Sequence, residues 1–147
     1  MKKNDLVEVT IESMGSAGEG IGKMDGYPLF VKDTFPGDKV RVSLTKVKKT
    51  YAFARLVELL EPSPDREEPR CVQHRRCGGC QIQGLSYEKQ LLYKEEKVRE
   101  DLKRLGGFTD PPVGPVLGMD EPYRYRNKAQ FPFGKDKEGR IVTGFYA

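Results

Sequence analysis

Gly15-Ser-Ala-Gly18-Glu-Gly20-Ile-Gly22-Lys23 stands between two stretches of strict alternation, and how it is read decides the fold. Before it, Val7, Val9 and Ile11 alternate with Glu8, Thr10 and Glu12; after it, Val40, Val42 and Leu44 alternate with Arg41, Ser43 and Thr45. A period of two marks half-buried antiparallel strands. Asp25-Gly26 and Pro36-Gly37-Asp38 are turn signals, while Tyr27 to Val31 and Ala52 to Leu56 read as further short strands. Four or five such strands within about 55 residues imply an OB-like β-barrel over residues 1–60. The glycines do not form a phosphate loop. A Walker loop requires G-x4-G-K-[ST], but Gly15-x4-Gly20 is followed by Ile21, and Gly22-Lys23 by Met24. They permit sharp bends and close backbone approach within a small barrel.

Working outward, the whole chain of 147 residues is 37% hydrophobic and 33% charged, with a net charge of +4. No run approaches the roughly 18 apolar residues of a membrane span, so no membrane partner is expected. Met1-Lys-Lys-Asn-Asp-Leu lacks the apolar region of a secretory signal, which points to a cytoplasmic protein. The cationic excess falls at both ends of the chain, an arrangement that permits a polyanionic partner. Lys46-Val-Lys48-Lys49-Thr-Tyr51 is a basic loop ending in an aromatic. Its lysines can follow phosphates while Tyr51 stacks on a base, or the loop can be a solvated hairpin tip.

Glu61 to Pro69 holds three prolines and few apolar side chains, so residues 61–70 read as an extended linker. Residues 71–147 follow as a second unit. Its first stretch, Cys71-Val-Gln-His-Arg-Arg-Cys77-Gly-Gly-Cys80, contains every cysteine of the chain. Thiolates at C-x5-C-x2-C spacing can converge on one soft metal, but a zinc site or a cubane cluster takes four ligands. The fourth ligand is then His74, a second copy of the chain or a residue beyond Ala147. Ser86 can cap a helix from Tyr87 to about Leu105, ended by Gly106-Gly107. Its stripe of Tyr87, Leu91, Val98, Leu102 and Leu105 suggests core packing. Tyr123 to Phe133 alternates again, which as an extended strand would align Arg124, Arg126 and Lys128 on one side and pair with Ile141 to Tyr146. The expected class is therefore mainly β with one helix: barrel, cysteine loop, amphipathic helix and the start of a β-rich central domain.

Gly18-Glu-Gly20-Ile-Gly22, the apolar strand after it, Phe35-Pro-Gly-Asp-Lys-Val40 and Ala52 to Leu56 resemble a TRAM domain, an RNA-binding barrel found on RNA-modifying enzymes. With the linker, the C-x5-C-G-G-C motif, the helix bearing Tyr87, Gln90 and Lys94, and Tyr-Arg-Asn-Lys-Ala-Gln-Phe, the chain resembles the amino-terminal part of bacterial 23S ribosomal RNA uracil-5-methyltransferases. That resemblance implies a 4Fe-4S cluster on Cys71, Cys77 and Cys80, with a fourth cysteine beyond a strand like Gly144-Phe-Tyr146. It implies RNA, ribosomal rather than transfer, as partner through Lys46, Lys48, Lys49, Tyr51, Arg124, Arg126 and Lys128, and no obligate protein partner. S-adenosylmethionine belongs to the full-length enzyme only. No catalytic residue is expected here, because uracil-C5 methylation needs a cysteine nucleophile, a base and a methyl-donor domain, so the chain alone is expected to be inactive. Two alternatives stand beside this. One is a freestanding RNA-binding protein with zinc on Cys71, His74, Cys77 and Cys80, although His74 reads more simply as an exposed residue between ligands. The other is a fragment of a TRAM-containing methylthiotransferase, whose radical cluster has C-x3-C-x2-C ahead of the barrel.

Overall fold

The structure, a computed structural model, describes residues 1–74 and 76–144. Five strands form a closed barrel: β1 (Leu6–Met14), β2 (Gly20–Met24), β3 (Tyr27–Val31), β4 (Lys39–Val47) and β5 (Ala52–Glu61), in the order β1-β2-β3-β5-β4. One helix, α1 (Tyr87–Arg104), and a short hairpin of β6 (Phe133–Lys135) and β7 (Ile141–Thr143) follow. The expected class, mainly β with one helix and an OB-like barrel, is what the chain adopts.

The long strand β1 serves two neighbours. Leu6 to Thr10 pair with β4, Ile11 to Met14 pair with β2, and an irregularity between Ile11 and Ser13 bends the strand from one to the other. The glycines make this possible. A side chain on Gly22 would lie 2.5 Å from Val9 and 2.6 Å from the Thr10 carbonyl, so only glycine lets β2 come that close to β1. β2 and β3 are joined by Asp25 and Gly26, both with positive φ (50° and 78°), the type I′ geometry that matches strand twist. The barrel closes by a parallel pairing of β3 with β5, Leu29 to Ala52 and Val31 to Ala54. Small Ala52 and Ala54 face inward there, beside Val9, Ile11, Leu29, Val31, Val40, Val42 and Leu44. Each fully buried Val or Leu contributes about 1.5–3 kcal/mol, so this one cluster dominates the stability of the chain.

The segment read as an extended linker is clasped to the barrel. Asp38 is fully buried and accepts four hydrogen bonds: from the Phe35 N–H (2.7 Å), the Ser63 N–H (2.9 Å), and the Arg66 guanidinium through Nε (3.0 Å) and Nη2 (2.6 Å). Arg66 also lies over the ring of buried Phe35, 4.7 Å from its centroid. A buried carboxylate is tolerated because every oxygen is paired. Arg66 bridges to Leu85, with Glu67 N–H donating to Gly84 and Ser86 N–H to Asp65. The chain thus leaves the barrel and returns through one hydrogen-bonded neck, which pins residues 68–83 as a closed loop.

Three expectations need correction. Tyr123 to Phe133 is not a strand; pairing is confined to Phe133–Lys135 with Ile141–Thr143. Arg124 has φ of 59°, and Tyr123 packs under the Arg70 guanidinium at 4.1 Å, so the extended run is broken where the cationic row would begin. The second strand covers Ile141–Thr143, while Phe145 and Tyr146, which the expected strand included, lie outside the described residues. The α1 stripe is not a core. None of its residues is buried, Leu105 is 86% exposed, and Ser86 sits at the N-cap without a side-chain capping bond. The helix end does behave as expected: Gly107 takes φ of 71° and the Phe108 N–H returns to the Leu102 carbonyl.

Candidate nucleic-acid interface

Parity along the strands fixes what the barrel shows to solvent. Because Leu29 and Val31 point inward, Phe30 points outward; because Ala52 and Ala54 point inward, Phe53 and Arg55 point outward. Phe30 and Phe53 are register partners across the parallel pair. With Tyr51 they form a three-ring cluster, centroids 5.5–5.6 Å apart, two of the contacts edge-on. The Lys46–Tyr51 loop is fixed beside it. The Tyr27 hydroxyl lies 2.6 Å from both the Lys48 and the Tyr51 carbonyl oxygens, and the Lys48 N–H donates to the Tyr51 carbonyl at 2.9 Å. Tyr51, expected to act at the end of a basic loop, is therefore one edge of an aromatic surface. Phe30, Phe53 and Arg55 were missed in the sequence, although an aromatic of outward parity between two inward residues was the signal for them.

Charge pairing divides the barrel surface in two. On the β1-β4-β5 side, Arg41 binds both Glu8 and Glu58 and Lys39 binds Glu61 at 2.9 Å, while Lys23 of β2 faces Glu12 of β1. The Glu61 hydrogen bond and charge hold the Lys39 ammonium above its ordinary value, and Glu8 and then Glu58 do the same for Arg41. Around the aromatic cluster the cations have no such partners. Lys32, Lys46, Lys48, Lys49 and Arg55 take part in no ion pair among the described residues. Cations without carboxylates beside flat apolar rings suit a polyanion that also carries aromatic bases.

The cysteine loop folds toward this surface. Gln81 and Ile82 pack on Gly18 of the β1–β2 turn, and the loop and the barrel line a cleft of about 690 Å³. Phe30, Phe53, Lys32, Lys46 and Arg55 line it from the barrel, and His74, Arg76, Cys77 and Cys80 line it from the loop. Its two carboxylates are Asp33 and Glu19, and the latter already accepts the Ala17 N–H. The cleft is net cationic.

All three cysteines are free thiols, Cys71 and Cys80 exposed and Cys77 half-buried. The loop is held by bonds within itself: the Cys71 N–H donates to Gln83 Oε1, the Cys77 N–H to the Gln73 carbonyl, and the Gly79 N–H points at Cys77 Sγ at 3.4 Å. In kind, this donor set suits a soft metal centre. In arrangement, no group of three or more His, Cys, Asp and Glu side chains converges among the described residues. His74, expected to be exposed, is half-buried, and its Nδ1 is buried without a hydrogen-bond partner among the described residues. Arg124, Arg126 and Lys128 are exposed and make no ion pair among the described residues, but they lie outside the cleft and are not aligned by a strand.

No helix among the described residues is long and apolar enough to cross a membrane. Residues 2–57 match the TRAM domain family. An uncharacterised RNA methyltransferase of Halalkalibacterium halodurans is 48% identical over 99% of this chain and 32% of its own length. One of Clostridium tetani is 48% identical over 100% of this chain and 32% of its own length. Among solved structures, the tRNA (uracil-54, C5)-methyltransferase of Pyrococcus abyssi, in complex with S-adenosyl-L-homocysteine, is 31% identical, with 74% of this chain and 23% of that one covered and a TM-score of 0.44. The chain spans about a third of the length of the curated relatives it matches. A TRAM domain thus occupies residues 2–57, and the similarity to these RNA methyltransferases runs across essentially all the rest of the chain.

Proposed function

We propose that this chain is the RNA-binding and cysteine-bearing part of an S-adenosylmethionine-dependent RNA uracil-C5 methyltransferase of the cytoplasm, acting on 23S ribosomal RNA. The observation that carries the RNA-binding part is the contrast in charge pairing: cations are neutralised on one side of the barrel and left free around Phe30, Tyr51 and Phe53 on the other. In this reading Lys46, Lys48 and Lys49 take phosphates, Tyr51 takes a base, and Arg124, Arg126 and Lys128 guide the strand onward. Cys71, Cys77 and Cys80 would hold a 4Fe-4S cluster, which when bound ties the loop's backbone together. The chain by itself transfers no methyl group, since its three cysteines all sit in that loop and no residue is left to add to C6 of uracil.

Fluorescence anisotropy with labelled ribosomal RNA fragments tests the binding. Replacing Lys46, Lys48 and Lys49 together by alanine should weaken binding and lower the salt slope by about 2, while Lys39→Ala, whose cation is already tied to Glu61, should change neither. Absence of RNA affinity at low salt would overturn the reading. Tighter binding to transfer RNA than to ribosomal RNA would overturn the choice of substrate.

One observation favours a second reading of the loop. His74 shares the cleft with Cys77 and Cys80 and carries a buried ring nitrogen without a partner, as a zinc ligand of a Cys71, His74, Cys77, Cys80 set would. Anaerobic purification followed by metal and sulfide analysis separates the two. Iron with sulfide, unaffected by His74→Ala, supports the cluster; stoichiometric zinc lost in His74→Ala supports the zinc site.

A further inference from the structure

We propose that the cleft between the barrel and the cysteine loop is a slot for one unpaired nucleotide of the bound RNA. The base stacks on Phe30 and Phe53, its flanking phosphates lie on Lys46 and Arg55 of the barrel wall, and Arg76 closes the slot from the loop wall. This rests on the RNA-binding reading and adds to it which form of RNA is bound and where.

Four observations converge. Phe53 is 41% exposed and Phe30 half-buried on strands whose alternate residues form the core, so these rings are turned toward the surface by the same parity that buries their neighbours. The cations around them, Lys46, Arg55 and Arg76, have no carboxylate partner among the described residues, unlike those on the β1-β4-β5 side. The cleft, about 690 Å³, is within the range of about 300–1,000 Å³ of pockets that enclose small ligands. Its second wall is held near the barrel, because the loop is tied at its neck by the Arg66–Leu85 bridge and, just before that neck, Gln81 and Ile82 pack on Gly18. Only an unpaired strand can present a base face to rings recessed between two walls; in a duplex both faces are covered by neighbouring pairs.

The test uses the 147-residue chain and two RNAs of equal length, about ten nucleotides: a single-stranded oligouridine carrying one 2-aminopurine, and a blunt duplex with the same reporter. The slot predicts preference for the single strand and quenching of 2-aminopurine on binding. Phe53→Leu, with its fold checked by circular dichroism, should weaken single-strand binding about fivefold or more and remove the quenching, with duplex affinity unchanged. Lys46→Ala should weaken both RNAs and leave the quenching in place. Equal binding of both RNAs without quenching, or full affinity and quenching in Phe53→Leu, would overturn the slot while leaving RNA binding intact. Failure to bind either RNA at low salt would instead overturn the RNA-binding reading, and the slot with it.

Discussion

Val40, Val42 and Leu44 of β4 are completely buried, whereas no residue of α1 is, although both elements carry apolar side chains at the period of their own secondary structure. The difference lies in what covers them. In the barrel each strand finds two hydrogen-bonded neighbours, and closure through β3 and β5 leaves no edge. The helix instead touches the remainder of the chain through a few isolated contacts: Tyr93 to the Gly15 carbonyl, Tyr87 from the Met119 N–H, Arg99 to the Val113 carbonyl, Lys89 with Asp65, and Leu91 beside Gly118. Its charges are satisfied internally, Lys97 with Asp101, Arg99 with Glu95 and Glu96, and Arg104 with Glu100. An amphipathic period states which face favours burial and is silent on what buries it. Native-state hydrogen exchange should therefore separate the regions, barrel amides opening only with global unfolding and α1 amides opening locally.

The largest effect should come from the joint between the two. Asp38→Ala leaves the Arg66 guanidinium and the Ser63 N–H without their acceptor inside the protein, which should cost about 3–5 kcal/mol. Urea unfolding monitored by circular dichroism measures it. The cysteine loop should lose its neck at the same time and become the first site of limited proteolysis. A loss below about 1 kcal/mol would mean that the loop holds to the barrel without the clasp.

A smaller effect is confined to the barrel. Gly22→Ala drives a methyl group against Val9 and the Thr10 carbonyl, a backbone atom that cannot rotate aside, so a loss of about 1–3 kcal/mol is expected. Exchange in α1 should be unaltered, because the helix does not share the barrel's core. Equal acceleration in both regions would show that they unfold as one unit.

The same contrast explains what could be read from the sequence. Val9, Ile11, Val40, Val42 and Leu44 were legible as core because alternation on a strand is answered by the neighbouring strand, and the glycine-rich turn was legible because only glycine permits that approach. Asp38 and Arg66 were not. They are 28 residues apart, and nothing local marks an aspartate in a turn and an arginine in a proline-rich stretch as partners. Tyr123 to Phe133 has the alternation of a strand yet is none, since among the described residues only three of its positions or their successors, Phe133–Lys135, meet a pairing partner. For the candidate site, Lys46, Lys48, Lys49 and Tyr51 could be seen as a basic loop. The cleft opposite Cys77 and Cys80 could not, because it exists only once the loop neck brings those residues back to the barrel.

The smallest effect tests how the helix is held, and pH reports on it. The Tyr93 hydroxyl donates to the Gly15 carbonyl at 2.7 Å, a bond that exists only while the phenol keeps its proton. Burial raises the phenol above its ordinary value; Lys97 opposes the shift and Glu19 adds to it. A group with its folded pKa raised stabilises fully below the unfolded value, about 10 for tyrosine, and that contribution is lost as pH rises through the folded value. Alkaline titration of tyrosinate absorbance should show a late-titrating component that Tyr93→Phe removes, and α1 should detach from the β1–β2 turn over the same window while the barrel persists. At neutral pH Tyr93→Phe removes one hydrogen bond and should loosen the helix by about 1 kcal/mol, read as faster α1 exchange against unchanged barrel exchange. Unchanged α1 exchange in that variant would place the helix attachment elsewhere, on the Leu91 packing against Gly118 and the Tyr87 hydroxyl, and would make the carboxyl-terminal stretch rather than the barrel the support on which α1 rests.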